Sequence, residues 1–284
     1  MTPNRRQFLQ SSLALALSGA LPAAAAIDSE ALDRGSELAY RRLLDAAKGE
    51  RRANADAATA LRIRRIGNRL VAAAAAIVPE ARNYGWAFNL LSEPAPDVRV
   101  FPGGRTFVSD ALVVKTGFND AEIGAIIAHA IAHAILGHDL KRYSAAVAAK
   151  RDSPDVNRQA LDAADATLDV LTRLRYEPAE IQAADRTSVE MLWRAVYDPR
   201  GAPSAWRRLA SGERGIIERA PVDDARLAAL EAAARDAIAP YEEARAKAED
   251  VARGAEERRR QLFIKGQRER GQPLPPHLDP SPRR

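Results

Sequence analysis

The chain has 284 residues, no cysteine, four histidines and a net charge of +5. Without cysteine it has no disulfide scaffold, thiolate nucleophile, iron–sulfur cluster or Cys-type zinc finger, so a His-based metal site must draw on His129, His133, His138 and His277. Aromatic residues are 5% of the chain, too few for a platform that stacks single-stranded nucleic acid. The basic excess sits at the ends, around a slightly acidic body: residues 1–26 hold two arginines and no acid, and residues 251–284 hold nine bases against four acids. Since a nucleic-acid footprint calls for a basic face on the fold, no nucleic-acid partner is expected. The basic tail could still touch an anionic membrane surface.

Residues 1–26 read as an export signal. Asn4-Arg5-Arg6-Gln7-Phe8-Leu9-Gln10 sets twin arginines before an apolar stretch, and Pro22 and Ala23–Ala26 follow as a small-residue cleavage site. The order is of the twin-arginine type, and cleavage near Ala26 would release a periplasmic or otherwise exported chain. The longest later apolar run, 123–136, is interrupted by two histidines and falls short of the ~18 residues of a span. No transmembrane segment is therefore expected after cleavage.

The body, 27–238, reads as mostly helical. Leu, Ile and Ala recur at helical spacing over 29–50 and 54–78, and Pro79 stops the second run. Residues 84–90 and 97–101 alternate like strands. Pro102-Gly103-Gly104 then breaks the chain, and 105–108 restart it as a third strand. Asn119 with Glu122 three residues on forms a capping box that opens a helix over 120–137. Further helices are expected at 140–150, 155–175, 179–196, 202–210 and 223–237. A charged helix over 241–264, within a segment 239–265, has the pattern of a solvated or partner-facing element. A Pro- and Arg-rich tail, 266–284, is expected to be disordered.

The chemistry concentrates in Ala128-His129-Ala130-Ile131-Ala132-His133. Histidines at i and i+4 lie about 40° apart on one helix face, so their imidazoles can converge on one Zn²⁺. The same pair also fits two satisfied core histidines. In the metallopeptidase form of the motif, H-E-x-x-H, a glutamate deprotonates the metal-bound water; here that position is Ala130, which can do neither acid nor base work. At about 100° per residue, His138 is expected to point about 180° from His129, and His277 lies in the tail. Thr187 and Ser188 have no histidine near them for a serine triad. Asp223-Asp224 read as a helix N-terminal pair.

The order of several segments resembles the HtpX / CAAX-prenyl-protease family of gluzincin zinc endopeptidases, in its soluble exported branch. These segments are Phe101-Pro102-Gly103-Gly104, the run from Asn119 into His129, Gly137-His138-Asp139, Ala183-Ala184-Asp185-Arg186, Val196-Tyr197-Asp198-Pro199-Arg200, and Ala220-Pro221 with Arg226-Leu227. The resemblance implies a zincin-like α+β domain, predominantly helical, with a small sheet beside the HxxxH helix. It implies His129 and His133 as zinc ligands, Asp185 as the group orienting a ligand histidine, and Pro102, Gly103 and Gly104 as the flank of the strand that receives an extended polypeptide. It also implies three losses: the general base at Ala130, the third ligand at Ala183 and the oxyanion histidine at Ala220. Glu122 and Glu180 are the acids nearest in sequence that could substitute, each displaced along its helix.

The expected function is an exported peptidase-fold protein with a degenerate site. It would bind zinc weakly or not at all, and would grip an extended polypeptide or envelope protein without cleaving it efficiently. The alternatives are an active zinc endopeptidase of cell-envelope quality control that uses substitute residues, and an engineered inactive form of such an enzyme. Residues 241–264 are a further surface for a helical partner.

Overall fold

A computed structural model describes residues 29–141, 175–211, 222–275 and 278. The expected signal (1–26), nearly all of the helices expected at 140–150 and 155–175, Ala220, His277 and the last residues of the tail lie outside these. The described chain runs α1 (Ser29–Gly49), α2 (Ala57–Ile77), a 3-10 helix (Pro79–Asn83), β1 (Ala87–Leu91), β2 (Val98–Val100), β3 (Arg105–Ser109), α3 (Ala111–Val114), α4 (Asp120–Ile135), α5 (Pro178–Arg194), α6 (Gly201–Ser211), α7 (Asp224–Asp236) and α8 (Ile238–Glu269). This is the expected α+β class, mostly helical with one small sheet.

Local chemistry explains where these elements start and stop. The Asp56 carboxylate accepts from the backbone N–H groups of Ala58 and Thr59 and opens α2, satisfying donors that have no partner inside the helix. Pro79 follows its end. Asn119 and Glu122 form a reciprocal capping box at the start of α4. Pro178 occupies the first turn of α5, where its missing N–H costs nothing, and the Glu180 carboxylate accepts from the Glu177 N–H at 3.0 Å.

The sheet has the order β1-β3-β2; β1 runs parallel to β3, and β2 antiparallel to it. Alternation along each strand splits the side chains between two clusters. Phe88, Leu90, Val98, Val100 and Val108 face the helical core with Ile63, Ile66, Leu70, Ile123, Ile126, Ile127, Met191 and Leu192. Leu91 and Phe107 face α1, where they meet Ala39, Tyr40, Ala47 and Phe101; the Tyr40 ring stacks on Phe107 with centroids 4.4 Å apart. The sheet is thus sandwiched between α1 and the α2–α4 layer. The strand expected over 84–90 begins only at Ala87. The 3-10 helix ahead of it carries the chain to Trp86, whose indole N–H donates to the Ala81 carbonyl at 2.7 Å.

The two outer edges of the sheet differ. Residues 52–54 cover β1, through Asn54 N–H to Leu90 O and Ser92 N–H to Arg52 O, both 2.8 Å. Along the outer edge of β2 no strand pairs among the described residues, and α4 packs beside it. Pro102, Gly103 and Gly104 form the tight turn between β2 and β3. Gly103 and Gly104 have φ of 82° and 91°, a region open to glycine. A Cβ on Gly104 would also meet the Trp86 ring at 2.7 Å.

α4 and α5 pack against each other, and α6 crosses α4. At that crossing a Cβ on Gly201 would lie 2.7 Å from the Ala121 carbonyl carbon, so the helices touch backbone to backbone. Glu122 ties the same corner. Beyond its cap role it accepts from Ser204 Oγ at 2.6 Å and from Arg208 Nη1 at 2.9 and 3.0 Å.

Candidate metal centre

His129 and His133 lie one turn apart on α4, and both are almost wholly buried, at 3% and 2% exposure. Their Nε2 atoms approach to 3.1 Å. Two nitrogens bound to one zinc at ~2.05 Å in tetrahedral geometry would be about 3.3 Å apart, so the pair has the bite of a metal site. Ala130, between them, presents a methyl group to the core. Ala183 is half-buried on α5, two residues before Asp185.

Behind the pair stands a chain of oriented groups. Asp185 Oδ1 lies 2.9 Å from His129 Nδ1. The Asp185 carboxylate also accepts from Arg226 Nε at 2.8 Å and Nη2 at 3.0 Å. The Arg226 guanidinium lies over the Trp206 ring at 4.2 Å, and that ring meets His129 edge-on at 5.0 Å. Burial pushes the Asp185 carboxyl upward, but hydrogen bonds from His129 and Arg226 and their charges outweigh it and hold the group below its ordinary value. Asp185 is therefore a carboxylate at neutral pH. It fixes the proton of His129 on Nδ1 and turns the Nε2 lone pair toward His133.

His138 is where the structure departs from the helical extrapolation. α4 ends at Ile135, and Gly137 has φ 73°. The chain turns there, and His138 Nδ1 comes to 2.9 Å from His133 Nδ1 instead of pointing away. Projection at 100° per residue fails once the helix has stopped. A consistent proton order runs through the row: His129 accepts at Nε2 from His133, which accepts at Nδ1 from His138. Tyr176 stacks on the His133 ring with centroids 3.6 Å apart, and its hydroxyl donates to Asp139.

Among the described residues, no group of three His, Asp or Glu side chains converges as metal ligands. Glu122 is held by its cap, Ser204 and Arg208, and Glu180 by the Glu177 N–H, with Lys141 Nζ at 3.4 Å. The described residues supply two of the three protein ligands that a catalytic zinc requires. Arg226, Trp206 and Tyr176 were not singled out as site residues from the sequence. One signal could have found Arg226: it is a cation in the first turn of α7, three residues after the N-cap Asp223, where the helix dipole disfavours positive charge. Such a placement calls for a carboxylate partner.

The chain is 24% identical over 161 residues to the mitochondrial metalloendopeptidase OMA1 of Schizosaccharomyces pombe, covering 55% of this chain and 45% of that protein. It thus spans less than half the length of that relative. Residues 57–234, from α2 through most of α7, match the profile of Peptidase family M48. With well over half of its length within that match, the chain belongs to peptidase family M48.

Proposed function

We propose that this chain is an exported M48-family protein of the HtpX / CAAX-prenyl-protease type that binds extended polypeptide along β2 and does not cleave it efficiently. The carrying observation is the composition of the centre. Two imidazoles close on each other at 3.1 Å, alanines stand at 130 and 183, and the candidate substitute acids Glu122 and Glu180 already serve helix starts. Loss of a general base alone costs roughly 10²–10⁴ in rate. Among the described residues the donor set is one ligand short of a catalytic zinc site, so no hydrolytic step is assigned to a metal here. The edge of β2 that no described strand pairs, beside α4, offers backbone donors and acceptors to an added strand.

A second reading, an active zinc endopeptidase, draws support from the zinc-matched bite of the pair and the orienting carboxylate of Asp185. Zinc content of the purified chain, casein digestion and binding of a labelled unfolded peptide separate the two. The degenerate reading expects substoichiometric zinc, no digestion and measurable peptide binding. The variant Ala130→Glu, Ala183→Glu, Ala220→His is expected to take up one zinc and digest casein. Stoichiometric zinc with digestion by the unaltered chain establishes the second reading; absence of peptide binding removes the first.

A further inference from the structure

α8 spans 32 residues, about 48 Å at 1.5 Å per residue, and buries none of its side chains. It touches α5 and α7, and its opening residues Tyr241, Glu242 and Arg245 lie near the Asp198–Arg200 turn. A helix of this length with no buried side chain presents a long surface.

Its faces follow a seven-residue period. Seven residues rotate a helix about 20° short of two full turns, so residues at that spacing share one side. Beyond the first turns, where Tyr241 lies near the body, Ala248, Val251, Ala255 and Leu262 form one apolar stripe. Val251 and Leu262 are each 69% exposed, and Phe263 beside them is 43% exposed. Six of the seven acids recur at the same period as the pairs Glu242/Glu243, Glu249/Asp250 and Glu256/Glu257 on the far side, which also carries Arg253, Arg260 and Arg268; the seventh, Glu269, lies on the stripe side beside Lys265. Lys247, Arg258, Arg259 and Lys265 flank or interrupt the apolar stripe. Arg258 and Arg259 make no ion pair among the described residues, while Lys247 and Lys265 lie 2.6 and 3.8 Å from Glu243 and Glu269.

We propose that α8 is an interfacial helix that lays this stripe on an anionic lipid bilayer. An apolar face bordered by basic side chains, with all acids but Glu269 turned away, matches headgroup charge below and water above. The long basic stems let their charges reach the headgroups while Leu262 and Phe263 enter the acyl boundary. Other occupants fit less well. In a second copy of the same face, Arg258, Arg259 and Lys265 would meet like charge. A phosphate backbone would leave Val251, Leu262 and Phe263 in water. α8 lies on the bilayer and does not cross it: no helix among the described residues is long and apolar enough to span one. The assignment does not depend on the state of the histidine centre.

The test is co-sedimentation of the full chain with vesicles of phosphatidylcholine alone or mixed with phosphatidylglycerol. Each basic side chain near an anionic surface strengthens partitioning about fivefold. The expected results are partitioning on the order of 10²-fold stronger onto the anionic vesicles, loss of most of that gain at high salt, and no competition by inorganic phosphate. Arg258→Gln, Arg259→Gln and Lys265→Gln together should weaken binding about 10²-fold without loss of helix, because Gln is about as good a helix former as Arg or Lys. Leu262→Ser with Phe263→Ser should weaken it at low and high salt alike. Equal binding to both vesicles, or an unchanged triple variant, overturns the proposal. So does tighter retention on duplex DNA than on anionic vesicles, or a dimer that Leu262→Ser with Phe263→Ser converts to monomer.

Discussion

Asp185→Asn removes one charge from a buried pair and leaves the other in place. The Asp185 and Arg226 side chains are 7% and 9% exposed and share hydrogen bonds of 2.8 and 3.0 Å. With charge centres ~4 Å apart and an effective dielectric of ~20, their attraction is about 4 kcal/mol. Asparagine keeps one acceptor, so the expected loss lies near the lower end of the ~3–5 kcal/mol typical of a broken buried pair. In urea denaturation at pH 7 this is about 3 kcal/mol; on heating it is a drop of roughly 6–12 °C for a domain of this size. Arg226→Met should cost about as much, and the double variant should cost much less than the two singles added, because it leaves no unpaired charge. Asp185 has a folded pKa below its unfolded value. Its stabilising contribution is therefore complete above an unfolded pKa of about 3.9 and lost as pH falls through the lower folded value. The gap between wild type and Asp185→Asn should close in that acidic range. A single-variant loss under about 1 kcal/mol, or simple additivity in the double variant, would refute the account of this pair.

Asp97 gives the opposite pH signature. Burial raises its carboxyl to about 6, with Glu93 adding to the rise and Arg99 opposing it. The contribution of this group is complete below an unfolded pKa of about 3.9 and is lost as pH rises through about 6, roughly 2–3 kcal/mol in all; Asp97→Asn should remove that slope from a stability–pH curve. Gly201→Ala forces a methyl against the Ala121 backbone and should cost about 1–3 kcal/mol by denaturant midpoint, whereas Gly49→Ala, with open space around it, should not. Glu122→Ala removes a reciprocal cap together with the Ser204 and Arg208 contacts. It should destabilise by about 2–3 kcal/mol, and Asn119→Ala by about 1 kcal/mol. Equal losses for those two variants would show that the α4–α6 tie contributes nothing.

The sequence made the fold class readable because its cues are local. The capping box at Asn119–Glu122, the alternation over 97–101, the restart at 105–108 and the proline stop at 79 each act within a few residues. What stayed hidden was made by distant contacts. Nothing in the order of strands announced that β1 pairs with β3 in parallel while residues 52–54 cover its outer side. His138 was misplaced because helical projection was carried past a terminus that Gly137 turns. Tyr176 reaches His133 and Asp139 from just ahead of α5, a separation across which sequence periodicity carries no information. Glu180 looked like a displaced substitute ligand, and the structure gives it the start of α5.

The contact at Gly201 has a mechanical consequence. Where two helices meet through interdigitated side chains, small slides and separations are absorbed by rotamer changes. Here the Gly201 backbone rests on the Ala121 backbone and its single methyl group, so at that point α6 has no room to move inward and no long side chain to absorb a shift. The motion left to it is a tilt about the Gly201–Ala121 point. Trp206, five residues or about 7.5 Å further along the axis, would swing through the larger arc. That ring contacts both His129 and Arg226. The helix is therefore a lever with its fulcrum at the start of α4 and its load on the histidine centre, and a tilt of a few degrees would be felt first at the aromatic wall of that centre.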